Sequence, residues 1–310
     1  MPRKLRLEFT GAIYHVLNRG DRREDIFLDD EDRCRFVQTL GEACEKTDWQ
    51  IHAYCLMRNH FHLVVETPRA NLVAGMQCFL STYTARFKQR HKYFGHLFSG
   101  RYKALLVDGS GNGYLKSVCD YVHLNPVRAK LLRAEQRLRE YRWSSYPEYL
   151  KAEAKRAPWL RVERLLGEWG IGEDSVAGRR QLERSMEERK LQEESVQNED
   201  WKRLRRGWCW GGTTFREELL GMIDQKRSEH HYGEELEESA QQKAERLLGQ
   251  MLRKARWRES DLPERRKGDE VKVKIAARLR KETTMSWKWI AQRLSMGHWR
   301  SAANAVRLAR

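Results

Sequence analysis

Arg58-Asn59-His60-Phe61-His62-Leu63-Val64-Val65-Glu66 reads as one β-strand entered through a tight turn at Arg58-Asn59. Side chains alternate between the two faces of a strand. His60 and His62 therefore share one face, while Phe61, Leu63 and Val65 share the other and call for a core. Two imidazoles about 6–7 Å apart along a strand can grip one divalent metal ion. Two polar residues on a solvated strand face would show the same spacing, so the rest of a site must come from elsewhere in the chain.

Working outward, Gln50 to Met57 forms the partner strand of a hairpin, with Ile51, Ala53, Cys55 and Met57 on one face. Pro68 ends the histidine strand. Upstream, Ile13-Tyr14-His15-Val16-Leu17 is a first strand closed by Asn18-Arg19-Gly20-Asp21. Asp29 or Asp30 then caps a helix whose stripe is Phe36, Val37, Leu40, Ala43 and Cys44. Downstream, Asn71 caps a long helix with Leu72, Met76, Phe79, Leu80, Tyr83 and Phe87 as its buried stripe, and Tyr102 to Val107 is a fourth strand. A turn at Gly109-Ser110-Gly111-Asn112-Gly113 opens a helix from about Tyr114 to Asn125, followed by Pro126. The order β-α-β-β-α-β with a further helix is the α+β, ferredoxin-like pattern. It predicts an antiparallel sheet with helices on one face, the histidine strand in its middle and the other face open to a substrate or partner.

The helix after the fourth strand supplies the second half of the chemistry. Tyr121 and Asn125 are four residues apart and share a helix face, and Arg128 follows three residues later. An ion held by two histidines needs another ligand, which the Asn125 amide could provide, and Tyr121 would present its hydroxyl nearby. Tyr114, two turns earlier, competes for that role. A half-buried tyrosine and a helix-ending Asn-Pro turn are the plainer alternatives.

The 310 residues carry a net charge of +16, with 34% charged and 40% hydrophobic residues and 11 Trp. That balance excludes a disordered polyelectrolyte and points to a basic protein with cores and an anionic partner, nucleic acid first. No run approaches the roughly 18 apolar residues of a membrane-spanning helix. The basic start, Met1-Pro2-Arg3-Lys4-Leu5-Arg6, has no apolar stretch behind it and reads as no signal peptide. Six cysteines without C-x-x-C pairs suit a reducing compartment. The expected location is cytoplasmic and nucleoid-associated.

His60-Phe61-His62, together with Asp120-Tyr121-Val122-His123-Leu124-Asn125-Pro126-Val127-Arg128, resembles the single-tyrosine HUH transposases. Within these IS200-like enzymes the nearest resemblance is to the REP-associated tyrosine transposases. Tyr14-His15-Val16-Leu17-Asn18-Arg19-Gly20 is similar to that family's first strand, and Trp143-Ser144-Ser145-Tyr146 to its closing segment, so the resemblance spans roughly residues 5–150. It implies cleavage and rejoining of single-stranded DNA beside hairpin repeats. It implies Mg²⁺ or Mn²⁺ on His60, His62 and Asn125, with Tyr121 as nucleophile and a 5′-phosphotyrosine intermediate. Asparagine is shorter than the glutamine of some relatives, which leaves the third ligand open. A homodimer acting on single-stranded or hairpin DNA is expected, with Arg19, Arg58 and Arg128 as DNA contacts. The alternatives are a DNA-binding regulator derived from such an enzyme, or a related HUH nicking or replication-initiation enzyme.

Composition divides the chain into 1–150, a charged helical extension at 151–265, and 266–310. In the extension, Arg179 to Glu194 reads as a highly charged helical stretch with a solvated face, and Lys202-Arg203-Leu204-Arg205-Arg206 lies among Trp201, Trp208 and Trp210, suited either to phosphate contact and base stacking or to a charged helix anchored to a core by its tryptophans. At the end, a helix marked by Val271, Ile275 and Leu279 precedes one capped by Ser286, the turn Ser295-Met296-Gly297, and a helix from Trp299 to Leu308. This is a helix-turn-helix layout, with Arg300, Asn304 and Arg307 expected at DNA.

Overall fold

The computed structural model describes residues 6–193, 204, 207–228 and 234–309, for 224–228 and 234–240 the backbone only. The first elements are β1 (Ala12–Arg19), α1 (Asp30–Thr47), β2 (Gln50–Leu56), β3 (His60–Thr67), α2 (Leu72–His91) and β4 (Lys103–Val107). The strands run β2-β3-β1-β4, all antiparallel, so the histidine strand is interior. A short β5 (Cys209–Trp210) extends the sheet parallel to β4, an addition the sequence pattern does not announce.

Asp29 caps α1 by accepting from the Asp32 amide at 3.0 Å. Asn71 stands at the start of α2 without capping it. Its side chain instead accepts from the Trp49 indole at 2.8 Å and donates to the Thr47 carbonyl at 2.9 Å, tying α2 to the end of α1.

Phe61 of β3 meets Phe36 of α1 and Phe79 of α2 at ring-centroid distances of 4.9 and 6.3 Å, so α1 and α2 cover this face. The other face is not left open. Strand registry places Ile13, Val64, Leu105 and Val107 on it together with His62. An apolar surface of that kind must be buried. α3 (Tyr114–His123) crosses it and buries Leu115, Val118, Cys119 and Val122. Proline at 126 ends α3 early: Leu124 breaks the helix, and α4 (Asn125–Arg128) restarts it for one turn.

After the short α5 (Tyr146–Tyr149) and α6 (Glu163–Glu168) comes α7 (Val176–Glu193). Its charged face is solvated at Arg180, Arg184 and Glu188, while Leu182, Met186 and Lys190 are buried on the other side, and Lys190 donates to the carbonyls of Ala134 and Gln136. The sheet's core draws in Leu160, Val162, Leu165, Leu166, Leu182 and Met186, all beyond residue 150.

α8 (Thr213–Ser228), α9 (Glu234–Ala255) and α10 (Asp261–Glu264) lead into α11 (Glu270–Glu282), α12 (Trp287–Arg293) and α13 (Trp299–Leu308). A second core joins Leu247, Leu248 and Leu252 of α9 to Ile275 and Leu279 of α11, Ile290 of α12, and Ala302 and Val306 of α13. The unit expected at 266–310 thus packs on a helix that begins before it. Of the basic run at 202–206, only the buried Leu204 lies within the described residues. All six cysteines are free thiols. Among the described residues, no helix is long and apolar enough to cross a membrane.

Candidate active site

β1 and β3 pair so that Arg19 stands opposite His60, Leu17 opposite His62, and His15 opposite Val64. Partners across a sheet share a face, so His15, His60 and His62 project to the same side, toward α3. The His15 and His62 rings lie 16° from parallel with centroids 5.1 Å apart, and His15 Nε2 sits 2.9 Å from His62 Nδ1. The N–H···N bond therefore runs along the ring planes rather than between stacked rings. His60 and His62 have centroids 5.2 Å apart with planes at 77°. His60 Nδ1 lies 2.8 Å from Asn59 Oδ1.

From the opposite side α3 lowers Tyr121 onto this cluster. Its ring sits edge-on to His15 and to His62, both at 5.6 Å between centroids. Tyr114 is elsewhere, packed edge-on against Trp210 of β5 at 5.9 Å, so of the two tyrosines only Tyr121 reaches the histidines. The Arg128 guanidinium lies 4.2 Å from the centre of the Tyr121 ring and donates to the Tyr121 carbonyl, while its other arm reaches Glu193 of α7 at 3.3 Å. Asn125 is buried, and its Nδ2 donates to the Tyr121 carbonyl at 3.2 Å, which leaves Oδ1 as the amide's ligand atom.

The electrostatics suit a metal site. Burial, reinforced by Arg128, pushes His15 down to about 4, and burial with Arg19 pushes His60 down to about 4. Neutral imidazoles keep a lone pair for a metal at neutral pH. With metal–nitrogen bonds of about 2 Å, two imidazoles on one ion have centroids roughly 5 Å apart, and His60 and His62 meet that spacing. Among the described residues no three of His, Cys, Asp and Glu gather as a ready-made site. His60 and His62 are the donors this spacing brings together; Asn125 is held through Nδ2 on the Tyr121 carbonyl, with Oδ1 as its remaining donor atom. Two nitrogens and one amide oxygen suit Mn²⁺ better than the harder Mg²⁺.

The rim is basic. Arg19 is exposed at the end of β1. Arg58 is exposed beside it and pairs with Asp25 at 2.9 Å. Between them the turn Asp21–Arg23 shows Arg22 and Arg23 to solvent, both in the left-handed region at φ 49° and 66°. Gly20 admits this turn because a Cβ there would lie 2.0 Å from the Glu24 carbonyl oxygen. Asn59 holds the turn in place, donating from Nδ2 to the Arg23 carbonyl at 2.9 Å.

Arg300, Asn304 and Arg307 are exposed along one face of α13, opposite the buried Ala302 and Val306, and are not part of this cluster. Sequence reasoning missed His15. Its strand and parity were legible, but the strand-to-strand registry that turns it toward His62 was not. It also missed Glu193 and Arg189 of α7, which are hidden in a run of charges.

The family described as IS200-like transposases matches residues 8–125, the span from β1 to the start of α4. Over this stretch the chain is similar to the IS200-like transposases. Every member of the histidine–tyrosine cluster falls within the matched span, while α7 and the C-terminal bundle lie beyond it. A solved structure of a REP-associated tyrosine transposase bound to a REP hairpin aligns with 51% of this chain and 91% of its own, at 12% identity and a TM-score of 0.41. No curated protein sequence matches the chain.

Proposed function

We propose that the chain is a metal-dependent single-strand DNA transposase of the REP-associated type, cleaving and rejoining DNA beside hairpin repeats through a 5′-phosphotyrosine. The observation that carries this reading is the meeting of Tyr121 with His62 at 5.6 Å, within the domain that matches the family. Tyr121 is the nucleophile. Its phenolic oxygen forms a bond to the scissile phosphorus, the bond from phosphorus to the 3′-oxygen breaks, the phenol loses its proton, and the departing oxygen gains one to become a 3′-hydroxyl. The phosphotyrosyl link keeps the energy of the broken diester, so the reverse attack by a 3′-hydroxyl needs no ATP. His60, His62 and Asn125 would hold Mg²⁺ or Mn²⁺. When bound, the ion offsets the charge developing on the phosphate and favours the phenolate.

Arg128, over the Tyr121 ring, holds the nucleophile's helix and adds positive charge next to it. Arg19 and Arg58 at the rim contact backbone phosphates, and Arg300, Asn304 and Arg307 on α13 read duplex DNA in a major groove. The protein acts as a homodimer in the cytoplasm, associated with the nucleoid. The experiment is Tyr121→Phe with a labelled single-stranded oligonucleotide and Mn²⁺. The wild type is expected to form a covalent protein–oligonucleotide adduct and the variant none. An adduct of equal yield in the variant refutes the assignment.

A further inference from the structure

The side chains behind the two histidines bear on how the site is built. Asn59 Nδ2 donates to the Arg23 carbonyl at 2.9 Å, an acceptor that can accept only from the amide's NH₂ end. The Asn59 amide is thereby oriented with Oδ1 toward His60 Nδ1, 2.8 Å away. An amide oxygen cannot donate, so the proton of that bond belongs to His60 Nδ1. In a neutral imidazole the lone pair then resides on Nε2. At His62 the partner is His15 Nε2, 2.9 Å from His62 Nδ1 with the rings nearly coplanar. Both histidines of the strand are thus held by the same ring atom, one from the turn before the strand and one from β1.

We propose that Asn59 and His15 are positioning residues that hold His60 and His62 in the Nδ1–H tautomer, so that both present Nε2 to one metal ion. This rests on the metal reading of His60 and His62. In it His15 is an acceptor: Nε2 takes the His62 proton, and its own proton sits on Nδ1. A second consequence follows for Asn59. The same amide ties the Arg22–Arg23 turn to His60, so the exposed arginines and the metal ligand share one hydrogen-bonded unit. Partners of this kind are worth about 10–100-fold in metal affinity.

The test uses the full chain. In the metal-free wild type, imidazole nitrogen chemical shifts, assigned by the signals lost in His60→Gln and His62→Gln, are expected to report Nδ1–H for both residues. An Nε2–H pattern at either one overturns the proposal. Mn²⁺ titration calorimetry gives the second readout. Asn59→Ala and His15→Leu are expected to bind about 10–100-fold more weakly than wild type, and His15→Gln, whose Oε1 restores an acceptor, within about threefold of it. If Asn59→Ala and His15→Leu bind like wild type while His62→Ala does not bind, the positioning role fails and the metal reading stands. If His62→Ala binds like wild type, the metal reading fails and this proposal with it. Should His15→Leu not fold, Asn59→Ala and the nitrogen shifts decide.

Discussion

Arg189 of α7 reaches Asp120, the residue before Tyr121, at 2.7 Å, and Asp120 is fully buried. Glu193, four residues further along α7, pairs with Arg128 of α4, so α7 holds α3 by one ion pair and the turn after it by another, both from outside the matched span.

Removing one partner of such a pair strands the other. Above pH 7, where Asp120 is ionised, Arg189→Ala is expected to cost about 2–4 kcal/mol, at the lower side of a buried pair because Arg189 is partly exposed. Asp120→Asn combined with Arg189→Ala should recover most of the loss. Urea unfolding of the two variants checks this, and a double variant as weak as the single one refutes it. A cleavage assay on Arg189→Ala under conditions where it stays folded should show slower adduct formation, since Tyr121 is held less firmly.

Stability should rise with pH through the weakly acidic range. Burial holds His15 and His60 at about 4 and His123 at about 3, whereas an unfolded histidine titrates near 6.5. Between these values the unfolded chain binds protons that the native one does not, so stability is lost as pH falls from about 6.5 toward 4. Asp120 works the other way. Burial raises it to about 7, so the native state holds a proton there that the unfolded one has released. Three histidines outweigh one carboxyl, and the urea midpoint is expected to be higher at pH 6.5 than at pH 5. A flat or falling profile contradicts this.

Gly75 in α2 lies against Trp49, and a Cβ there would come within 2.1 Å of the indole Cζ2. Gly75→Ala should gain up to about 1 kcal/mol of helix propensity. It should lose more to overpacking, which costs about 1–3 kcal/mol and here meets a rigid ring held by Asn71. A net destabilisation is expected in urea unfolding, and a stabilised variant would show that Trp49 can move aside.

On α13, combined replacement of Arg300, Asn304 and Arg307 by alanine should weaken binding to a hairpin duplex. The salt dependence should flatten, because each lost phosphate contact lowers the slope by about one unit. Covalent adduct formation on a bare single strand should be unaffected. Equal hairpin affinity and slope in the variant would remove α13 from the DNA interface.

The βαββαβ order was legible because strands and helices bury apolar residues at different periods, and the two-residue period also put His60 and His62 on one side. The helix signals were less uniform. Asp29 capped as its type suggests, but Asn71 spent its amide on Trp49 and Thr47, since a tertiary partner can outbid a local one. In the Arg179–Glu194 run the abundant charges marked a solvated face but not the narrow apolar one opposite it. Its apolar Leu182 and Met186 dock on the first core, and its charges find buried partners only after docking.

By itself, then, the sequence determined the strand pair of histidines, the choice of candidate tyrosines and the basic character of the chain. These follow from local periodicity and composition. The resemblance singled out Tyr121 over Tyr114, and the tertiary structure brings it to the histidines; only the tertiary structure decided that α3 covers the face expected to be open, and that His15 and Asn59 stand behind His62 and His60. Strand registry and helix docking bring together residues as far apart as His15, His62 and Tyr121, and such pairings depend on how the whole core packs, which no local pattern encodes.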